Sequence, residues 1–195
     1  VVHQLEAPGA PVISGSSVLP MDMRSGALAY GSPEYTLACL GAIDYFSSLG
    51  VPSWFGAGCS DAHTVDVQAA AEAGMSLQTA VVSGTSFIHN LGYLSGGKTG
   101  SLEMLVLCDE LAGSAKRLAA GVDVNEETLA LGVVRRAYEN HDFLSDLHTV
   151  RHVRSAMWYP TLGERSSVEE WVSSGATVMQ ERIRERVLDL LGSRV

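Results

Sequence analysis

The feature that most constrains the fold is a run from Gly56 to Glu110 in which short apolar segments alternate with helix-like segments. Residues 54–58 are apolar and lead through polar side chains into the helix-like residues 66–72. The same order returns in residues 85–88 and 101–110. Strands that alternate with helices are typical of a parallel sheet. The run therefore predicts an α/β fold of successive βα units.

The first part of the chain adds one more unit of this kind. Residues 12–15 give a short buried-strand pattern, and Ser32 predicts the start of a helix that ends at Gly50. Ser is a favoured N-cap, Pro33 suits the first helical position, and the acidic Glu34 complements the helix dipole.

The second part predicts mainly helices. Asn125 is expected to cap a helix that ends near Asn140, residues 141–149 show no periodicity, and residues 168–191 predict one long amphipathic helix. Several glycines in residues 92–100 predict a flexible loop, suited to act as a lid, before a helix capped by Ser101.

Polar side chains follow the predicted strands. In a (β/α) barrel, the residues just past the strand ends line the active site. The candidates on that face are Cys59, Ser60, Asp61, His63, His89 and Asn90.

Each candidate has a functional and a structural interpretation. Asp61 either faces a cationic substrate or caps the next helix, and His63 either binds substrate or is solvated. His89 and Asn90 place two hydrogen-bonding groups where barrel chemistry occurs, although His89 would also suit a core position. Cys59 is expected to be a packed thiol rather than a nucleophile.

Other polar groups are expected to be structural. Asp66 and Glu72 are interpreted as helix-dipole and surface groups. His148 and His152 are four residues apart, but the chain has neither a His-Glu-x-x-His motif nor a cysteine pair. We therefore expect surface or packing histidines there and no bound metal.

Composition excludes several classes of protein. The chain has 195 residues, of which 46% are hydrophobic and 18% charged, as in ordinary globular proteins. The net charge of −9 disfavours binding to nucleic acid and to anionic membrane surfaces. No apolar run is long enough to cross a bilayer, and three scattered cysteines do not make a disulfide framework. We expect a reduced, cytoplasmic protein.

Several separate motifs resemble the trimethylamine methyltransferase family. The motifs are Ser60-Asp61-Ala62 with Asp66-Val67-Gln68-Ala69 and Glu72, Ile88-His89-Asn90-Leu91-Gly92-Tyr93, Ser101-Leu102-Glu103 with Asp109-Glu110, Met21-Asp22-Met23-Arg24, His148-Thr149 with His152 and Arg154, and Trp158-Tyr159-Pro160. They are spread over nearly the whole chain.

The resemblance implies a TIM-barrel methyltransferase that moves a methyl group from a methylated amine to the cobalt of a corrinoid (cobalamin) carried by a partner protein. On this basis His89, Glu103 and Asp61 are expected to be catalytic, and Asn90, Tyr93, His63 and His141 to bind substrate. The sequence contains no pyrrolysine, so the chain resembles the branch without it, for which a quaternary amine such as glycine betaine is the expected substrate.

The length bears on the barrel. A complete TIM barrel has about 250 residues, so residues 1–195 are expected to form one domain that is the C-terminal part of a (β/α)8 TIM-like barrel. Residues 1–5 are interpreted as the tail of a helix. Part of a barrel exposes sheet edges and an apolar interior, so we expect it to pair with another copy or with a missing N-terminal half.

Two other functions remain open from the sequence. One is a metal-dependent barrel hydrolase that uses Asp61, His63, His89 and Glu103 around a divalent ion. The other is a betaine-binding barrel fragment without catalytic activity.

Overall fold

Parallel strands alternate with helices in the first two thirds of the chain. The computed structural model describes residues 2–16 and 18–192; Val1, part of the predicted helix tail, lies outside the described residues. The first elements are α1 (Val2–Glu6), β1 (Ser14–Gly15), α2 (Pro33–Ser48), β2 (Ser53–Gly56), α3 (Val67–Val82), β3 (Phe87–His89), β4 (Tyr93–Leu94), β5 (Thr99–Gly100) and α4 (Leu102–Ala119).

The remaining described elements are helices. They are α5 (Glu126–Leu129), α6 (Leu131–Asn140), α7 (Leu147–Ala156), α8 (Val168–Ser173) and α9 (Met179–Gly192). None of the helices within residues 2–16 and 18–192 combines the length and the apolar character that a membrane span requires.

The three strands β1, β2 and β3 form one parallel sheet in that order. Gly15 lies opposite Trp54, and Gly56 lies opposite His89, so the carboxyl ends of the strands share one edge. Helix α2 connects β1 to β2, and α3 connects β2 to β3, as parallel connections usually do. The predicted α/β fold of βα units is thus confirmed, whereas a closed barrel stays a prediction.

The helix starts follow local side-chain chemistry. Ser32, Asp66 and Ser101 accept hydrogen bonds from the backbone N–H groups of Tyr35, Ala69 and Met104, respectively. These bonds satisfy donors that a helix N-terminus leaves unpaired.

The core lies between one face of the sheet and the helices. Phe55 and Leu77 are fully buried there together with Met104. Because side chains alternate along a strand, Trp54 projects from the opposite face of β2. Burying a side chain as large as Phe55 stabilises a fold by about 1.5–3 kcal/mol, so this layer supplies much of the stability of the βα units.

Two predicted helices are each broken in the structure. The helix predicted from Asn125 to Asn140 is interrupted at Ala130, whose φ of 49° is left-handed. The long helix predicted over residues 168–191 ends at Ser173. Gly175 and Ala176 both have positive φ, and their N–H groups donate to the carbonyl oxygens of Val172 and Trp171, respectively. This pattern is a Schellman motif, and its glycine ends α8 where apolar periodicity alone predicts continuation.

Two predicted irregular segments contain regular structure. Helix α7 begins at Leu147 behind the N-cap Asp146, so only residues 141–146 of the predicted irregular segment are non-helical. The predicted flexible loop over residues 92–100 contains the antiparallel hairpin of β4 and β5. The hairpin arises from strand pairing and α7 begins at the cap of Asp146, and a hydrophobic pattern reports neither feature.

Candidate functional site

The carboxyl edge of the sheet brings His89 and Asn90 next to β2. His89 is the last residue of β3, is half-buried, and lies opposite Gly56. Its Nδ1 is 2.8 Å from Asn90 Oδ1. An amide oxygen can only accept, so Nδ1 donates, and the neutral ring then carries its free lone pair on Nε2. Asn90 holds this position with a φ of 72°.

An aromatic surface adjoins His89. The Trp54 ring is 4.7 Å from the His89 ring at 62°, and the Phe87 ring stacks at 6.1 Å. A Cβ at Gly15 would overlap the Trp54 indole, so glycine is required for the indole to lie across β1. The half-buried Trp54 and the exposed Phe87 therefore form an accessible π surface next to the His89 ring.

Two tyrosines lie at the same edge. The rings of Tyr30 and Tyr35 meet edge to face at 5.2 Å. A Cβ at Gly56 would overlap the Tyr35 hydroxyl and lie 3.0 Å from Asn90 Nδ2. Burial raises the pKa of Tyr35, so its hydroxyl stays protonated. Tyr35 and Asn90 therefore converge over the end of β2.

Asp61 anchors a loop at this edge. Its Oδ1 accepts from the Tyr30 N–H and its Oδ2 from the Gly31 N–H, both at 2.9 Å. Burial raises the pKa of Asp61, these two N–H bonds oppose that rise, and the charge of Glu72 adds to it. Asp61 thus fixes the position of Tyr30 and places a carboxylate at the strand edge.

Glu72 is part of this arrangement, which corrects its interpretation as a surface group. Its Oε2 accepts from Ser60 Oγ at 2.6 Å and from the Asp61 N–H at 2.8 Å, and its Oε1 accepts from Gln68 Nε2 at 2.8 Å. A Cβ at Gly31 would overlap this carboxylate. Asp66, by contrast, is exposed and caps α3, in agreement with its interpretation as a helix-dipole group.

The β4–β5 hairpin closes one side of the edge. Its backbone N–H groups at Ser95 and Gly96 donate to Ala62 and Ser60 at 2.8 and 3.1 Å. The Ser60 N–H donates to the Tyr93 carbonyl at 3.0 Å. Movement of this segment as a lid would have to break these bonds, so it is better described as a fixed wall.

His63 and Tyr93 both lie at this wall. His63 is exposed, and its Nδ1 is 3.0 Å from Ser95 Oγ. Tyr93 is 42% exposed, so its phenol remains accessible. The edge of the sheet thus gathers five of the seven predicted site residues, which are Asp61, His63, His89, Asn90 and Tyr93.

Glu103 and His141 have partners elsewhere. Glu103, in the first turn of α4, accepts from Arg184 Nε of α9 at 3.2 Å. His141 is exposed at the end of α6, where its N–H donates to the Ala137 carbonyl. Their roles in catalysis and substrate binding stay predictions.

The thiol of Cys59 is a packing group, as predicted. It is 3% exposed, and burial, followed by the charge of Asp61, raises its pKa to about 12. A thiol with such a pKa is not ionised near neutral pH and is a poor nucleophile.

The hydrolase hypothesis lacks its metal-binding geometry. Among the described residues, Asp61, His63, His89 and Glu103 do not bring three ligand atoms together. Both carboxylate oxygens of Asp61 accept hydrogen bonds from backbone N–H groups, and Glu103 forms an ion pair with Arg184. Within that part of the chain, the group that does converge consists of Glu127, His148 and His152.

Comparison with known proteins defines the family. The profile described as trimethylamine methyltransferase (MTTB) matches residues 1–194. The chain belongs to this family.

Individual members of the family are similar to most of this chain. A glycine betaine methyltransferase of Desulfitobacterium hafniense (strain Y51) is 36% identical over 165 residues, which are 84% of this chain and 34% of the relative. The trimethylamine methyltransferases MttB of D. hafniense (strain DSM 10664 / DCB-2) and Methanosarcina barkeri (strain Fusaro / DSM 804) are each 31% identical over 98% of this chain and 38% of the relative. The chain therefore spans somewhat more than a third of the length of these relatives.

Proposed function

We propose that this chain contributes the substrate site of a methyltransferase that takes a methyl group from a methylated amine. The observation that carries the proposal is the pair His89–Asn90 at the carboxyl end of β3, next to Trp54, in a member of the trimethylamine methyltransferase family. The names of the relatives agree with this chemistry.

The strand edge suits an organic cation. Methylated ammonium groups are attracted to the faces of Trp and Tyr rings, and Trp54, Phe87 and Tyr30 offer such rings here. The half-buried carboxylate of Asp61 accepts from the Tyr30 N–H, and the half-buried carboxylate of Glu72 accepts from the Asp61 N–H. Their negative potential favours a cation over a neutral amine.

The residues of this chain would orient the substrate. Because Nδ1 of His89 is held by Asn90, the imidazole has a fixed direction and keeps a lone pair on Nε2, which a methyl group of a bound ammonium can contact. Holding the N–CH3 bond in a reactive direction and excluding water are the contributions that such a site makes to the rate. The methyl acceptor is proposed to be a reduced corrinoid on a partner protein, whose cobalt supplies the nucleophile.

We further propose a quaternary amine such as glycine betaine as the substrate. The sequence contains no pyrrolysine, and one of its relatives is named a glycine betaine methyltransferase. A quaternary ammonium has no N–H to donate, so ring faces and carboxylate charge are the groups that can hold it.

The test uses cobalamin reduced to Co(I), mixed with the protein and with trimethylamine, glycine betaine, proline betaine or carnitine in turn. If the gene encodes a longer polypeptide, that polypeptide is assayed as well. We expect glycine betaine or a related quaternary amine to consume the Co(I) absorbance and to lose N-methyl groups by NMR. If the protein binds glycine betaine but neither the 195-residue chain nor the longer polypeptide removes N-methyl groups from it, the protein is instead a binding module.

Variants separate the proposed roles. His89→Ala should lower kcat/KM by about 100-fold or more, as expected when a positioning group is lost. His3→Ala, on the exposed helix α1, is the control and should react at the wild-type rate. For Glu103, the variants Glu103→Ala and Arg184→Ala both break the ion pair. Loss of activity in Glu103→Ala alone would support a role at the site.

A further inference from the structure

A group of three ligand residues lies outside the strand edge, on α5 and α7. His148 and His152 are one helical turn apart on α7, and their rings are 4.4 Å apart. Glu127, on α5, is 3.2 Å from His152 Nε2 through its Oε1. One ligand atom from each of the three residues lies within 4.8 Å of the others.

We propose that Glu127, His148 and His152 bind one Zn²⁺ ion. Two imidazoles and a carboxylate are a donor set that Zn²⁺ favours, with the fourth tetrahedral position left to water. Ligand atoms bound to one tetrahedral Zn²⁺ at about 2.0–2.1 Å are roughly 3.3 Å apart. The separation of 3.2 Å between His152 Nε2 and Glu127 Oε1 already matches that spacing.

The surrounding bonds hold the three residues in place before a metal arrives. Glu127 lies between Asn125 and Thr128, which cap α5 reciprocally with bonds of 3.0 Å. His148 Nε2 donates to the backbone carbonyl of Glu127 at 2.9 Å, since a carbonyl only accepts. A ligand histidine commonly donates its other ring N–H in this way, and the neutral ring then keeps a free lone pair on Nδ1 for the metal.

The position of α7 is fixed by a separate contact. Asp146 caps α7 and accepts from Arg136 Nη2 of α6 at 2.8 Å. Only small side-chain movements are therefore needed to close the group around an ion.

The lack of a core in this part of the chain gives such an ion a structural use. Of the described side chains in residues 121–157, only Ala137 is buried. Segments that bury little apolar surface are often held by a metal, whose binding free energy then contributes to folding. A Zn²⁺ ion shared by α5 and α7 would tie the two helices together.

The first test measures the bound metal directly. Tag-free protein is stripped with a chelator, loaded with Zn²⁺, separated from free ion and analysed by mass spectrometry of the metal. We expect one Zn²⁺ per chain. Replacement by Co²⁺ should give the intense visible spectrum of a four-coordinate ion, with no thiolate charge-transfer band.

Matched variants identify the ligands. His148→Ala and His152→Ala should abolish stoichiometric Zn²⁺ binding. Glu127→Gln should lower the Zn²⁺ affinity by about 10- to 100-fold or more, because changes to residues that only support metal ligands already cost about this much. Glu126→Gln, next to Glu127 on α5, and His3→Ala on α1 are the controls and should bind as the wild type does. Circular dichroism without metal checks that each variant is folded.

A second readout is the melting temperature. Zn²⁺ should raise the Tm of the wild type and of both control variants, because a ligand of the folded state stabilises it. It should leave the Tm of His152→Ala unchanged. Three results would each overturn the proposal. They are Zn²⁺ binding by the wild type that is no tighter than binding by His152→Ala, a Co²⁺ spectrum that is that of the hydrated ion, and Zn²⁺ binding through the cysteines.

Discussion

At the scale of single residues, three carboxylates organise loops by accepting backbone N–H bonds. Asp61 holds Tyr30 and Gly31, and Glu72 holds the N–H of Asp61. Glu110, which is 6% exposed, accepts from the N–H groups of residues 161–163 and from Thr161 Oγ1 at 2.6 Å. Charged acceptors of this kind stabilise more than neutral ones, so each carboxylate fixes a loop that has no regular structure of its own.

The first prediction concerns Glu110 and pH. Burial raises the pKa of Glu110, but the bonds from Thr161, Leu162 and Gly163 outweigh it, so the net pKa lies below its ordinary value of 4.5. The unfolded chain then takes up the proton more readily, and the stabilisation is present above about pH 4.5 and lost as pH falls through the folded pKa. We expect Glu110→Gln to be less stable than the wild type at pH 7, by on the order of 1–3 kcal/mol.

Urea unfolding between pH 7 and pH 3 measures this effect. The stability difference between the wild type and Glu110→Gln should narrow on acidification. Glu185→Gln, an exposed acid on α9, is the control and should leave the pH dependence unchanged. If the difference in unfolding free energy between the wild type and Glu110→Gln stays constant with pH, Glu110 does not stabilise the fold through its charge.

At the scale of elements, the β4–β5 hairpin depends on glycines at its tip. Gly96 has a φ of 62°, and a Cβ there would lie 2.9 Å from the Leu28 carbonyl oxygen. Gly97 has a φ of 83° and faces the Tyr30 ring. The hairpin can therefore pack against the segment that Asp61 anchors only because these residues have no side chain.

The second prediction is that Gly96→Ala destabilises the protein by about 1–3 kcal/mol, the usual cost of a strained backbone position. The clash with the Leu28 carbonyl should also weaken amine binding, because Tyr30 lies next to it. Thermal unfolding and calorimetric titration with glycine betaine measure the two effects.

Gly100→Ala in the same hairpin is the matched control. Its φ is not positive and nothing lies within 4 Å of its Cβ position, so it should be neutral or slightly stabilising. Equal effects of both variants would mean that the packing of the tip does not matter.

At the scale of the whole molecule, one face of the parallel sheet carries exposed apolar side chains. Phe87 and Ile13 are 55% and 50% exposed, and Trp54 projects from the same face. Apolar surface of this kind marks an interaction site or an aggregation hazard. In a closed barrel it would be the interior, which further strands would fill.

The third prediction is that the 195-residue chain associates through this face. Sedimentation or light scattering should show dimers or larger species, and Phe87→Ser should shift them toward the monomer. Met23→Ser removes another large apolar side chain, which is 85% exposed in a loop, and it should leave the mass of the particle unchanged. A monomeric wild type at high concentration would contradict the prediction.

Much of the fold could be predicted from the sequence because its signals are local. Ser32, Asp66, Ser101 and Asn125 each bond an N–H group three residues away, so each cap can be seen in a short window. The order of strands and helices follows from hydrophobic periodicity, which is also local. The family motifs lie on these same segments and predicted the strand edge as the site.

The tertiary structure alone decided which side chains meet. Asp61 reaches Tyr30 across 31 residues, Glu110 reaches Thr161 across 51, and Glu127 reaches His152 across 25. Such pairs depend on how the chain folds back on itself, and no residue spacing reports that. The sequence by itself determined the βα units and the candidate residues, whereas the partners of Glu72, Glu103 and His152 were decided by packing, because hydrogen bonds and ion pairs form between groups that are near in space rather than along the chain.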